Sequence, residues 1–189
     1  MKPVLSLIIL FLCICCKSQI YPLKTYDIEE FPKDSYVKDT NNELHDYEGT
    51  WKGTWNGKTI LITLKKIKFY KIFLENRAYY NDILIGKFIV KDSNGLILFD
   101  NNALADDNAK IKGSGFIKNT TSYLFGYNDP DLCHMNGRGR FKFTDSTKTK
   151  LEWKYSESEN WIDTDCFYYG WAQADRPQPL PNTIILTKQ

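Results

Sequence analysis

Two stretches on either side of a short polar loop alternate apolar and polar residues with a period of two. Gly139, Phe141 and Phe143 interleave with Arg138, Arg140, Lys142 and Thr144. Beyond Asp145-Ser146-Thr147-Lys148, Leu151, Trp153 and Tyr155 interleave with Lys150, Glu152 and Lys154. Successive side chains of an extended strand point to opposite faces, so this pattern specifies a hairpin with one dry and one wet face. A helix would scatter the same residues around its circumference. The pattern therefore calls for an antiparallel sheet covered on one side.

The rest of the chain from Gly49 onward has the same texture. Asn94-Gly95, between Ile83 to Lys91 and Leu96 to Phe99, predicts a second hairpin through a type I′ turn. Further strands are expected at Gly49 to Trp55, Lys58 to Phe69, Ala109 to Lys118, Ser122 to Tyr127, Phe167 to Trp171 and Thr183 to Thr187. In Ala109 to Lys118 the inward set would be Ala109, Ile111, Gly113, Gly115 and Ile117, small enough to suggest a sharply bent strand. With 12 Tyr, 11 Phe and 5 Trp, the composition favours strands over helices. The expected fold is all-β: an antiparallel meander closing into a barrel, with a β-sandwich as the alternative.

The N-terminus reads differently. Pro3 to Cys16 is uncharged and follows Met1-Lys2, an arrangement that reads as an export signal over residues 1–18. Its apolar run makes roughly 21 Å of helix, short of a bilayer core of roughly 30 Å. Cleavage after Ser18, with Cys16 and Ser18 as the small residues, would leave Gln19 first. Residues 19–47, broken by Pro22 and Pro32, read as an irregular leader, and residues 48–189 as a single β domain.

Removing the signal takes away Cys13, Cys15 and Cys16 and leaves Cys133 and Cys166. Two cysteines in an oxidising compartment suit one disulfide, with two buried free thiols as the alternative. The signal also takes Lys2 and Lys17, leaving 23 basic residues (25 − 2) against 23 acidic ones. A near-neutral domain offers no general electrostatic case for nucleic acid, and Lys65-Lys66-Ile67-Lys68 reads as the solvated side of a strand.

Candidate chemistry is sparse. Cys133-His134 and Cys166 stand among Asp129, Asp131, Asp163 and Asp165, but each cysteine is isolated and a disulfide would consume both thiolates, so no zinc site is expected. Four aspartates could offer oxygen ligands to calcium, although Asp129-Pro130-Asp131 is more simply a turn. His45 lies in the leader and His134 beside the cysteine, so no nucleophile has an evident base. Glu152, Glu157 and Glu159 suggest no carboxylate pair. The expectation is a non-enzymatic protein with no cofactor and no metal. Trp161, Phe167, Tyr168, Tyr169 and Trp171 crowd around Cys166; they read first as core filling, and alternatively as an exposed surface for stacking on sugars or proteins.

Three resemblances bear on this reading. Tyr47-Glu48-Gly49-Thr50-Trp51 resembles the Gly-x-Trp opening of the lipocalin-like, or calycin, barrels. That resemblance implies a Trp closing the barrel base and an interior that holds a small apolar ligand. Ile20-Tyr21-Pro22-Leu23, Lys38 to Leu44, Gly49 to Trp55, Tyr127 to Cys133 and Asp165 to Gly170 resemble an uncharacterised family of exported proteins from Bacteroidota. Cys16 followed by Lys-Ser-Gln resembles the lipidated cysteine of lipoproteins from the same group. These resemblances imply either an outer-membrane lipoprotein, touching membrane only through a lipid on Cys16, or a periplasmic or secreted protein. The expected function is extracytoplasmic binding of a small ligand inside the barrel or at its open end. The alternative is an envelope interaction module contacting a protein or glycan.

Overall fold

The computed structural model describes residues 19–27, 31–72, 77–159 and 162–189. The expected export signal with Cys16 lies outside the described residues, as does Trp161.

Among the described residues eleven strands form one sheet: β1 (Ile20–Pro22), β2 (Tyr36–Lys38), β3 (Gly49–Trp55), β4 (Lys58–Lys71), β5 (Tyr79–Lys91), β6 (Ile97–Asp100), β7 (Ile111–Phe116), β8 (Tyr123–Asp129), β9 (Met135–Phe143), β10 (Lys150–Glu157) and β11 (Thr183–Lys188). Eight of them close on themselves. From β3 to β11, leaving out β6, each strand pairs antiparallel with the next. The last then returns to the first through Thr187 opposite Lys52 and Lys188 opposite Trp51. The molecule is thus an antiparallel eight-stranded barrel, consistent with a lipocalin-like architecture rather than a sandwich.

The long strand β5 has more than one partner along its second edge. β7 takes Ile85 and Gly86, β6 takes Ile89 to Lys91, and β2 pairs parallel with Tyr80 and Asn81. Covering an edge in this way leaves fewer unpaired backbone groups for aggregation. β1 extends the leader by pairing parallel with β2, and Leu23, Val37, Leu44 and Tyr47 enter the core.

Cross-strand partners in register share a face, so the inward set can be followed around the barrel. Ile60 faces Val90, Ile62 faces Phe88, Phe141 faces Trp153, and Tyr123 faces Phe141 from the other side. The centroids of Phe125 and Phe141 lie 4.6 Å apart, those of Phe125 and Trp153 4.5 Å, and those of Phe141 and Trp153 5.3 Å. All three rings are almost wholly buried. Small residues accept them: a Cβ on Gly137 would stand 2.5 Å from Cε2 of Tyr155, and one on Gly139 would overlap the Phe125 ring. Rings fitted onto bare backbone fill the interior at this level, each adding roughly 1.5 to 3 kcal/mol of burial.

Both ends of the barrel are covered by other segments. At one end the helical turn His45–Tyr47 brings Tyr47 within 4.4 Å of Phe143, ring centre to ring centre. Its carbonyl accepts the Trp51 indole N–H at 2.8 Å, and Trp51 is fully buried there. At the other end Pro179, Leu180 and Pro181 are buried, and the Pro181 carbonyl accepts the Trp153 indole N–H at 2.7 Å.

Three local expectations are corrected. Gly95 has a φ of 85°, but Asn94 is not left-handed, and Asp92 N–H bonds to the Leu96 carbonyl at 2.9 Å. The hairpin therefore closes through a three-residue loop with one left-handed glycine, not a two-residue type I′ turn. The turn with positive φ at both central residues is Asn56-Gly57, at 45° and 74°, between β3 and β4. In β7 the register shifts between Gly113 and Gly115, so Phe116 rather than Ile117 reaches the core. The extra residue bends the strand, as its small inward residues suggested. Phe167 to Trp171 is not a strand but a run of turns.

Candidate functional site

The connection from β10 to β11 is the longest excursion of the barrel, and one disulfide fastens it. Cys133 and Cys166 are bonded, with Cα atoms 5.8 Å apart. Cys133 follows a helical turn at Pro130–Leu132 that Asp129 caps, its carboxylate accepting the Asp131 N–H at 3.1 Å. Cys133 and His134 then both adopt left-handed backbone, at φ 55° and 59°, to reverse the chain into β9. The bridge thus links the β8–β9 turn to the excursion.

Phe167, Tyr169 and Trp171 stand beyond Cys166, exposed by 77%, 55% and 42%. Core filling is therefore not their role. Phe167, Tyr168 and Trp171 pack on one another instead, with centroids 5.2 to 5.6 Å apart. Arg176 fixes the end of this cluster, donating to the Trp171 carbonyl from Nη2 at 2.9 Å and from Nε at 3.2 Å.

The excursion then runs past β8, β9 and β10 and leaves a cleft of about 950 Å³. Leu124, Arg138, Arg140, Lys154 and Ser156 line it from the outward set of the strands, Tyr127, Met135 and Tyr155 of the inward set border it at the rim, and Gln173, Pro177 and Gln178 line it from the excursion. Register brings the cations together: Arg140 is opposite Lys154, and Arg138 is opposite Ser156. Glu152 is the acid beside them, 3.2 Å from Lys154 Nζ and 3.9 Å from Arg140 Nη2. The exposed side chain of Arg138 makes no hydrogen bond or ion pair among the described residues, and the buried Nε of Arg140 has no acceptor. From the sequence these cations read as the wet face of a hairpin. Their opposition becomes explicit only once the two strands are paired.

The other candidates are engaged within the fold. Asp129 is buried, accepting Lys110 Nζ at 2.6 Å and the Tyr127 hydroxyl at 2.6 Å, and Lys110 also reaches Asp131 at 2.7 Å. An ammonium thus occupies the position considered for calcium. Burial alone would lower the Lys110 pKa, but its hydrogen bonds and the charges of both aspartates raise it overall. Burial first, then the bond to Asp129, drives the Tyr127 phenol far above its usual range. Asp163 accepts the Thr164 N–H at 2.6 Å, and Asp165 is exposed. His45 faces Glu48 at 3.8 Å on the surface, and His134 is exposed. Among the described residues no three His, Cys, Asp or Glu side chains converge to hold a metal.

A second polar cluster sits where the leader meets β4 and β5. Asp82 accepts the Tyr36 hydroxyl at 2.5 Å and the Asp39 N–H at 2.9 Å. Asp39 in turn accepts Lys66 Nζ at 3.1 Å, and Lys68 Nζ lies 4.0 Å from the Tyr80 ring centre and 4.5 Å from that of Tyr36. Every carboxylate here has a partner, so the cluster fastens the leader.

The fold and its surface thus define a disulfide-tied antiparallel β-barrel with a cationic cleft along three strands. The chain belongs to DUF6705, a family of unknown function, which it matches over residues 1–189. Neither a curated protein nor a solved structure matches it. The disulfide is of the kind that persists in an oxidising, extracytoplasmic environment.

Proposed function

We propose that this is an exported, non-enzymatic binding protein that takes a small ligand in the cleft between β8–β10 and residues 173–183. The observation that carries this reading is a cleft of about 950 Å³ lined by opposed cations, on a barrel whose axis is packed with rings. Small-molecule sites typically enclose about 300 to 1,000 Å³ and place a few polar groups to orient the ligand. A ligand on the barrel axis would have to displace Phe125, Phe141 and Trp153, which already pack on one another. The site is therefore on the flank and at the rim rather than inside. Native mass spectrometry of the purified protein tests this. A small molecule retained by the wild type and lost in Ser156→Trp, which places a bulky ring in the cleft, supports the reading. A molecule retained equally by both, or none retained by either, contradicts it.

A second reading rests on the exposed aromatic cluster of Phe167, Tyr169 and Trp171. Exposed rings held by a disulfide suit an envelope interaction module, anchored through a lipid on Cys16 or released after cleavage at Ser18, whose surface contacts a protein or glycan. Capture of an envelope component by the wild type but not by Phe167→Ala/Trp171→Ala supports it; equal capture by both counts against it.

A further inference from the structure

Resting on the cleft reading above, we infer that the ligand carries an oxyanion group, a phosphate or carboxylate, bound by Arg138, Arg140 and Lys154. Three observations lead there. First, Arg140 and Lys154 are direct cross-strand partners. Like charges in that relation oppose pairing unless negative charge comes between them. Second, the acid within reach pairs closely with only one of the two cations. Glu152 approaches Lys154 to 3.2 Å but Arg140 only to 3.9 Å, beyond hydrogen-bond distance. Glu157, which also lines the cleft, is already engaged. Third, guanidinium donors are left over. Arg140 Nε is buried without an acceptor, and the side chain of Arg138, one step along the same outward face, is exposed with no ion pair among the described residues.

Two arginines and a lysine on neighbouring strands form a receptor for several oxygens at once. The planar guanidinium fork matches paired oxygens of a carboxylate or phosphate, and the ammonium adds a point charge. Gln173 and Gln178 from the excursion add amide groups to the opposite wall, able to bond the neutral remainder of such a molecule. The site suits a small organic phosphate or polycarboxylate.

Calorimetric titration of the full protein with inorganic phosphate in one arm and citrate in the other tests the inference. The wild type, Arg138→Gln/Arg140→Gln and Lys52→Gln, a cation outside the cleft, are compared. Saturable binding of at least one anion is expected, weakened by roughly tenfold or more in the double variant and unchanged in Lys52→Gln. The thermal midpoint of the double variant should equal or exceed that of the wild type, because an opposed pair of cations has been relieved. No saturation by either anion, equal binding by the double variant, or a lower midpoint would overturn the inference. Ser156→Trp separates this failure from failure of the cleft itself. If a retained ligand is lost in Ser156→Trp but kept by the double variant, the cleft stands and the anion does not. If Ser156→Trp keeps the ligand, the cleft reading falls with it.

Discussion

Tyr123 packs on the bare backbone of Gly113: a Cβ at position 113 would stand 2.5 Å from Cε1 of the ring. The Tyr123 hydroxyl accepts the Leu84 amide at 3.1 Å, so the ring cannot move without leaving a buried donor unpaired. Gly113→Ala should therefore destabilise the barrel by about 1 to 3 kcal/mol through overpacking. Gly126→Ala, where an added Cβ meets nothing within 4 Å, is the control and should shift the urea midpoint little. Equal midpoints for the two variants would refute the filled interior on this side.

Cys133 and Cys166 are separated by 33 residues. On the chain-entropy model, closing such a loop stabilises the fold by roughly 3 to 4 kcal/mol. Cys133→Ser/Cys166→Ser should lower the thermal midpoint while the far-ultraviolet spectrum stays that of a β protein, since the barrel ladder does not include the bridge. The masses of the intact protein before and after reduction and alkylation report the bond directly.

Asp39 ties the leader to the barrel through three contacts. Its buried carboxylate accepts the amides of Glu43 at 2.6 Å and Leu44 at 3.1 Å and the Lys66 ammonium at 3.1 Å. Asp39→Ala strands two backbone amides and takes away the charge partner of Lys66, which keeps only Asn42 Oδ1 at 3.5 Å, and should cost about 3 to 5 kcal/mol in chemical denaturation. Asp39→Asn, which keeps an acceptor for an amide, should cost less.

Acid should weaken the domain in a predictable direction. Hydrogen bonds from Thr147 and Thr149, followed by backbone amides, hold the Asp145 carboxyl far below its ordinary value of 3.8. Bonds from Lys65 and Lys87 lower Asp106 in the same sense. A carboxylate depressed in the folded state contributes stability that is present above its unfolded pKa and is lost as pH falls through the folded value. Urea midpoints should therefore decline progressively below about pH 4. In Asp145→Asn that decline should be shallower, and an unchanged slope would remove Asp145 from the account.

Much of the barrel could be read from local periodicity. The β9–β10 hairpin pairs the apolar residues of its two runs face to face, as their alternation implies, and Trp51 of Gly49-Thr50-Trp51 is fully buried. Positions governed by backbone detail were harder to read. The bulge at Gly113 to Gly115 reverses which of Phe116 and Ile117 points inward, and the three-residue loop at Gly95 contains the same Asn-Gly dipeptide a two-residue turn would use. Phe167 to Trp171 has strand composition but no strand partner, so its propensity is overridden. The cleft was hidden for a related reason. Arg138, Arg140 and Lys154 each look solvated alone, and only pairing across β9 and β10 makes them a cluster.

The most direct test of the central claim, that ligands bind along the barrel flank and not on its axis, is a fragment screen followed by mapping of amide shifts. Hits are expected to perturb Arg138, Arg140, Lys154, Ser156 and residues 173–183. Hits that perturb Ile62, Phe88, Phe125 and Trp153 while leaving those positions unchanged would contradict it.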